Sequence, residues 1–328
     1  VLIKDSSKGV IVNISESITN KLIKIAKDKK VDVINLHWVC YLQIDINKLI
    51  DSGFRIVITH HDMWWMTGYC NYTHSCVGYI RGCTNCDLLQ IKAIAKNDFQ
   101  SKESIINNSN VQNVFVSNWL NDQFKYAKNK NVIGNVLPSN LENIYPKTSF
   151  SNPLRVLFIA ANYLSDTRKG YTDFEKAIKI LRKRGFNKNQ MKVITIGDKG
   201  TSISDESWGL IHDNKLMYKI ISNCDLVVLP SEQEAFGQTA LEAASHGLPI
   251  ISFSDTGIED IFIDEKSGVS VKEKSIEFLA DAIEKFSLLS ENDYINYSKF
   301  SSDYVKSEFN SSVIARKYIE IYKKIINE

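Results

Sequence analysis

The sequence predicts an α/β fold built on parallel sheets, in two domains. Apolar runs of strand length alternate with stretches whose apolar residues recur at helical spacing, and that alternation gives a parallel sheet covered by helices on both faces. With 328 residues the chain is long enough for two domains. The polar stretch Lys147 to Pro153, closed by proline, reads as the linker between them. The first domain is therefore placed at residues 1–150 and the second at 151–328.

Composition narrows the function classes. Hydrophobic residues at 44% and charged residues at 24% are ordinary for a soluble globular protein. Lys+Arg at 40 against Asp+Glu at 38 leaves a net charge of +2, which excludes a general nucleic-acid binder. No apolar run approaches the roughly 20 residues of a membrane span, and no signal peptide or lipidation motif stands out. A cytoplasmic location is expected, with peripheral contact at the inner face of a membrane left open.

In the first domain, Ile18, Leu22 and Ile25 mark a helix, and Val31 to Leu36 then reads as a buried parallel strand. The unit repeats with Ile46, Leu49 and Ile50 on a short helix, Gly53 as its stop and Arg55 to Thr59 as the next strand. Ligands collect at the carboxyl ends of such strands, and there sit His60, His61 and Asp62, with His37 and Trp38 at the end of the preceding strand. Val111 to Val116 reads as a further strand, followed by Ser117-Asn118 capping a helix that carries Trp119, Leu120, Phe124 and Ala127.

Between them, residues 63–89 hold Cys70, Cys76, Cys83 and Cys86 among several aromatic residues. Clustered cysteines in a cytoplasmic protein favour metal over disulfides. Cys83-Thr84-Asn85-Cys86 has zinc-knuckle spacing, and Cys70 and Cys76, with His74 as a substitute for either, would complete a structural zinc site. The five-residue gap between Cys70 and Cys76 is not a usual half-site, so buried free thiols and disulfides stay as alternatives. The aromatic residues of this loop read either as a platform for an acceptor sugar or as packing of the loop onto its own domain.

In the second domain, Leu154 to Ala160 leads through a polar loop to Arg168-Lys169-Gly170 and a helix with Phe174, Ala177, Ile178 and Leu181. Met191 to Ile196 is the next strand, ending at Gly197-Asp198-Lys199-Gly200. The chain then reaches its most informative stretch, Ser231 to Ala244 (S-E-Q-E-A-F-G-Q-T-A-L-E-A-A), between the apolar run Leu226 to Leu229 and Gly247-Leu248-Pro249. A helix starting just after a strand aims free backbone N–H groups and a positive dipole end at a ligand, and Gly237 lets that ligand approach the backbone. Such a site favours a phosphorylated ligand. Two acids beside it, Glu234 and Glu242, suit hydroxyl groups. Glu259, in the later turn D-T-G-I-E, reads as a helix-start residue rather than a catalyst.

The string P-S-E-Q-E-A-F-G-Q-T-A-L-E-A-A-S-H-G-L-P-I-I, with D-T-G-I-E-D-I after it, resembles the donor-site signature of the GT4 family of retaining glycosyltransferases. T-H-H-D-M-W, T-G-Y-C-N-Y and G-C-T-N-C are similar to segments of a subgroup of that family found in surface-polysaccharide biosynthesis. The resemblance implies a GT-B fold, two Rossmann-like domains facing across a cleft, with a terminal helix crossing back to the first. It implies transfer of a hexose or related sugar from a nucleoside-diphosphate sugar, of UDP or GDP type, to a glycan or lipid-linked acceptor, with no catalytic metal. Lys169 and Arg168 would bind the diphosphate together with the amides near Gly237 and Phe236. Glu242 would hold the ribose and Glu234 the donor sugar, Gly197 would lie along the nucleotide, and His61 rather than His60 would face the sugar. The chain begins with Val1 and lacks the family's glycine-rich turn after the first strand, so residues missing at the N-terminus are an open expectation. Two other readings stay in view: an epimerase of the same fold, acting on the donor alone, and a non-catalytic glycan- or nucleotide-binding protein.

Overall fold

Both halves of the chain build parallel sheets from their apolar runs. The structure, a computed structural model, describes residues 15–38, 44–86, 88, 92–199 and 201–327. The expectations touching the first 14 residues, Asp87 and Leu89 of the cysteine-rich loop, and Gly200 lie outside these. Contacts divide the chain into Val1–Gly134 with Ala315–Glu328, and Asn135–Ile314.

In the first unit, β1 (Val33–His37), β2 (Arg55–His60), β3 (Val111–Phe115) and β4 (Lys130–Val132) lie side by side in that order, all parallel. Ile56, Val57 and Ile58 are fully buried, as a central strand covered on both faces requires. The helices start where short polar side chains can take an unpaired amide. Ser15 accepts from Ile18 N–H ahead of α1 (Glu16–Asp28), and Asp45 accepts from Lys48 N–H ahead of α2 (Ile46–Asp51). After α3 (Lys92–Ile106), which the sequence reading passed over, Ser117 caps α4 (Asn118–Gln123). This last helix is shorter than expected. Phe124 leaves helical geometry (ψ 64°) and turns its ring onto Phe115, 4.7 Å away, so Phe124 and Ala127 follow the helix rather than belonging to it.

The second unit carries β5 (Leu154–Ile159), β6 (Met191–Ile196), β7 (Glu206–Ser207), β8 (Leu226–Leu229), β9 (Ile250–Phe253) and β10 (Gly268–Val271), parallel in the order β10-β9-β8-β5-β6-β7. The strands β7 and β10 are short and were not expected. Helices α5 (Tyr171–Lys183), α6 (Asn214–Ser222), α7 (Gln238–Ser245), α8 (Ile276–Ser287) and α9 (Glu291–Glu308) complete it. Phe158, Phe174, Ile178, Leu279 and Ile283 are fully buried in the core between the sheet and its helices. From β5 the chain runs outward one way through β6 and β7, then returns to the other side of β5 at β8. The strand order therefore reverses between β5 and β8, the position where ligands bind in such sheets.

The last helix, α10 (Ser311–Asn327), starts in the second unit, and its residues from Ala315 belong to the first. There Tyr322 Oη accepts from Asn35 Nδ2 at 2.7 Å, and Asn35 Oδ1 accepts from Thr59 Oγ1 at 3.0 Å, tying the helix to β1 and β2.

Contacts divide the units at Gly134/Asn135 rather than near residue 150, and Asp225 accounts for part of the difference. Its fully buried carboxylate accepts from Lys147 Nζ (2.5 Å), Ser151 N–H (3.0 Å), Ser151 Oγ (3.2 Å) and Arg155 N–H (2.7 Å). The stretch read as a linker is thus clamped to the second unit. Removing one partner of a buried pair strands the other, at about 3–5 kcal/mol. Asp225→Ala should lower the free energy of unfolding by that amount, visible as a lower urea midpoint at unchanged slope.

Candidate functional site

At the reversal point the loops after β5 and β8 are locked together by a glycine. Asp166 Oδ1 accepts from Arg168 N–H and shapes a single turn, Thr167–Lys169, after which Gly170 takes a left-handed conformation (φ 72°) and starts α5. A Cβ on Gly170 would lie 1.8 Å from the carbonyl oxygen of Pro230, so only glycine lets the two loops meet. Glu232 N–H donates to Arg168 O at 2.8 Å and closes the contact. Lys169 is thereby held over the end of β8. Its Nζ donates to Glu234 Oε2 at 2.7 Å, and an Arg168 guanidinium nitrogen lies 3.5 Å from the same oxygen. Arg168 is mostly occupied in holding the loop: it donates to Asp166 Oδ2 (2.8 Å) and to Gln233 O (2.7 Å).

A cavity of about 230 Å³ opens here, lined among others by Ala160, Lys169, Ser231, Glu234, Gly237 and Thr239. Gly237, at φ 94°, opens α7, so the first-turn amides of that helix and its positive dipole end lie at the cavity wall. Burial works to raise the Glu234 carboxyl. The charges of Lys169 and Arg168, with hydrogen bonds from Lys169 and the Ala235 N–H, outweigh it and hold the group below its ordinary value. The site thus offers a carboxylate, an ammonium group and helix-end amides within one small hollow.

Other residues expected at the site are placed differently. Phe236 is buried and meets Phe309 edge-on at 5.5 Å, so it packs the turn and does not line the cavity. Gly197 (φ 133°) lets the end of β6 close on that of β5: a Cβ there would fall 1.8 Å from Ala160 O. Glu242 is almost fully buried in α7, outside the lining, and burial raises its carboxyl while a hydrogen bond with Gln238 opposes the shift. Glu259 is the third residue of a short 3₁₀ turn (Gly257–Ile261), and its carboxylate accepts from Asp255 N–H (2.7 Å) and Ser270 Oγ (2.5 Å).

In the first unit the two adjacent histidines part company. His60 is buried against Phe115 (ring centroids 4.6 Å, nearly parallel) and hydrogen-bonds Asn113 Oδ1 through Nε2 at 2.9 Å. Asn113 Nδ2 already donates to two carbonyls, so its oxygen accepts and His60 carries its proton on Nε2. His61 points the other way. Its Nε2 lies 2.9 Å from His37 Nδ1, and Trp38 stacks on its ring at 5.0 Å. Burial, and then the neighbouring His37, lower it to about 4; burial lowers His60 to about 3. Both rings are neutral at pH 7. Asp62 turns the chain after them by accepting from Trp64 N–H (2.9 Å) and Asn71 Nδ2 (2.6 Å).

The residue that sequence reasoning missed here is Lys102, on α3. Its buried ammonium group donates to Trp64 O and Thr67 O (3.2 and 3.1 Å), ion-pairs with Asp98 at 3.0 Å and lies 3.6 Å above the Trp64 ring. A lysine four residues after an aspartate on a helix reads as solvated charge, so nothing in the string marks it.

The four cysteines expected to hold zinc, Cys70, Cys76, Cys83 and Cys86, are free thiols. Among the described residues no three His, Cys, Asp or Glu side chains are grouped so as to hold a metal ion, and the expected zinc therefore has no formed site. Instead Cys70, Cys83 and Cys86 pack as small apolar groups against Tyr69 and Ala95, and backbone amides of Gly68 and Gly78 donate to the sulfurs of Cys83 and Cys76 (3.2 and 3.3 Å). Burial, then its neighbouring thiols, push the Cys70 thiol up to about 12.

The Lys169–Glu234 cavity at the reversal point lies in a region that resembles known proteins. Residues 147–300 match the family model described as Glycosyl transferases group 1. The matched region covers most of the second unit, including the whole of the Lys169–Glu234 cavity. The capsular polysaccharide biosynthesis glycosyltransferase CapM of Staphylococcus aureus is 26% identical over 171 residues, 49% of this chain and 44% of that protein. An N,N'-diacetylbacillosaminyl-diphospho-undecaprenol alpha-1,3-N-acetylgalactosaminyltransferase of Campylobacter jejuni is 24% identical over 168 residues, 48% of this chain and 42% of its own. The match thus spans less than half the length of either relative. Among solved structures, sucrose-phosphate synthase from Thermosynechococcus elongatus superposes with a TM-score of 0.66 at 17% identity, covering 94% of this chain and 78% of that one. HepE of Anabaena, solved in complex with UDP, gives 0.66 at 16% identity, covering 93% and 82%. Two parallel-sheet units with these neighbours make the fold GT-B.

The histidines make a prediction about acid. In the unfolded chain each takes a proton near 6.5, whereas the folded values are about 3 and about 4. The stability they contribute is complete above pH 6.5 and is lost as pH falls toward those values. For His60 the loss is roughly 2 kcal/mol at pH 5. His60→Gln, which still donates to Asn113, should remove about that much of the difference between urea unfolding at pH 7 and at pH 5.

Proposed function

We propose that the chain is a retaining glycosyltransferase that moves a sugar from a nucleoside-diphosphate sugar to a glycan or lipid-linked acceptor, in the making of a surface polysaccharide. The observation that carries this reading is the Lys169–Glu234 pair beside the N-terminus of α7, at the sheet's reversal point, inside the group 1 domain. The capsular role is supported by the likeness to CapM, and the lipid-linked acceptor by the relative whose name specifies an undecaprenol-linked one. A UDP-type donor is supported by the UDP bound to HepE, while GDP stays in the panel to be tested.

In this reading the donor's diphosphate takes Lys169 and the first-turn amides of α7 as its partners. The Lys169 ammonium, now neutralising phosphate, frees Glu234 to accept from hydroxyls of the sugar. Arg168 keeps the loop in place and adds charge from behind. Glu242, with its neighbour Tyr218 on α6, is assigned to the ribose, and His61 to a sugar hydroxyl. No side chain is required as a nucleophile. The bond from the anomeric carbon to the diphosphate oxygen breaks and the acceptor oxygen bonds to that carbon from the same face. The acceptor's proton passes to the departing phosphate oxygen. Charge neutralisation of the leaving group and positioning supply the rate.

Loss of one such stabilising contact typically costs about 100-fold or more in kcat. Lys169→Ala and Glu234→Ala should each lower transfer by at least that factor, measured with a panel of UDP- and GDP-sugars. Wild-type transfer in both variants would sink the assignment.

A further inference from the structure

The first unit holds a second cavity, larger than the Lys169–Glu234 hollow and different in chemistry. It encloses about 330 Å³ and is walled mostly by aromatic and aliphatic side chains, with Trp65, Phe99, Ile106 and Phe124 among them. Trp65 lies in the short turn after β2, Phe99 and Ile106 are on α3, and Phe124 directly follows α4. The cavity therefore lies among the turn after β2, α3 and the segment after α4. Its size and apolar wall are those of a small-molecule site rather than a packing defect.

Two observations select the occupant. The mouth is apolar as well as the interior: Ile80 and Tyr126, both lining, are 56% and 65% exposed, and Val77 near Ile80 in sequence is 68% exposed. Large apolar side chains left in water around an apolar cavity mark a surface that another apolar body covers. The charged side chains of the lining are Glu103, Asp122 and Lys125, two carboxylates against one ammonium, which disfavours an anionic group inside. Trp65, Met66, Phe99, Ile106 and Phe124 give the wall an apolar face that an uncharged hydrocarbon covers without burying a polar group of its own.

We propose that this cavity binds the hydrocarbon chain of a lipid-linked acceptor, a prenyl chain entering past Ile80 and Tyr126 while its phosphate stays outside. The inference rests on the transferase reading for its acceptor class, and on the cavity alone for its chemistry. Burying a methylene strengthens binding about fourfold, so affinity should rise with chain length until the cavity is filled.

The test is equilibrium binding of farnesyl monophosphate and dimethylallyl monophosphate to the wild-type chain and to Ile80→Asn and Tyr126→Ser, both exposed positions where folding is not at risk. The wild type should bind the longer chain at least about tenfold more tightly, the effect of two or more extra buried methylenes. In the double variant the ratio should fall to about twofold. Equal affinity for the two chains in the wild type, or a ratio that survives both substitutions, would overturn the proposal. So would a soluble glycan that displaces the prenyl phosphate and loses affinity in the same variants. Melting shifts with UDP and GDP serve as the separate control. If prenyl binding behaves as stated but neither nucleotide binds, the transferase reading fails and the cavity assignment stands.

Discussion

The second unit's chemistry depends on one close approach, that of Gly170 to the carbonyl of Pro230. With no Cβ between them, the loop after β5 can rest on the loop after β8, and Lys169 is carried to within 2.7 Å of Glu234. Neither residue could be placed there by its own element. Lys169 ends a three-residue turn shaped by Asp166, and Glu234 lies in a loop whose carbonyl accepts from Gly257 N–H at 2.7 Å. The reversal of strand order between β5 and β8 leaves a gap above the sheet, and these loops together with the start of α7 frame it.

Electrostatics follow from that geometry. A carboxylate taken out of water would resist ionising, yet the Lys169 and Arg168 charges reverse the effect for Glu234. Without a ligand the ion pair satisfies itself. In the proposed reading, a diphosphate entering the hollow would compete for the ammonium, trading one anion for another and leaving the acid free for hydroxyls. Glu242 shows the contrasting case: buried, with no cationic partner among the described residues, its carboxyl is raised.

Much of the second unit was legible in the string because its signals are local. The apolar runs declare their strands, and the glycines beside Lys169 and Phe236 the starts of α5 and α7, within a few residues. What depended on distant partners was not legible. The packing of the Phe236 ring on Phe309 and the close approach of Gly197 to the Ala160 carbonyl are two examples. The buried clamp of Asp225 on Lys147 joins residues 78 apart, and Lys102 gives no sign in sequence that it ties down the loop after β2. The cysteine spacing suggests a metal, while among the described residues the sulfurs pack against Tyr69 and Ala95 and that of Cys83 accepts from the Gly68 amide. His60, at the end of β2, is in a buried ring stack, and His61, the next residue, pairs with the exposed His37.

The central claim is that the hollow between Lys169, Glu234 and α7 recognises a pyrophosphate. Titration calorimetry comparing uridine with UDP, and guanosine with GDP, addresses it most directly. The account predicts that one of the two diphosphates binds at least about 100-fold more tightly than its nucleoside, a gap of about 2.7 kcal/mol, and that Lys169→Ala closes most of that gap. Nucleoside and diphosphate binding with equal affinity, or a gap untouched by the substitution, would contradict it.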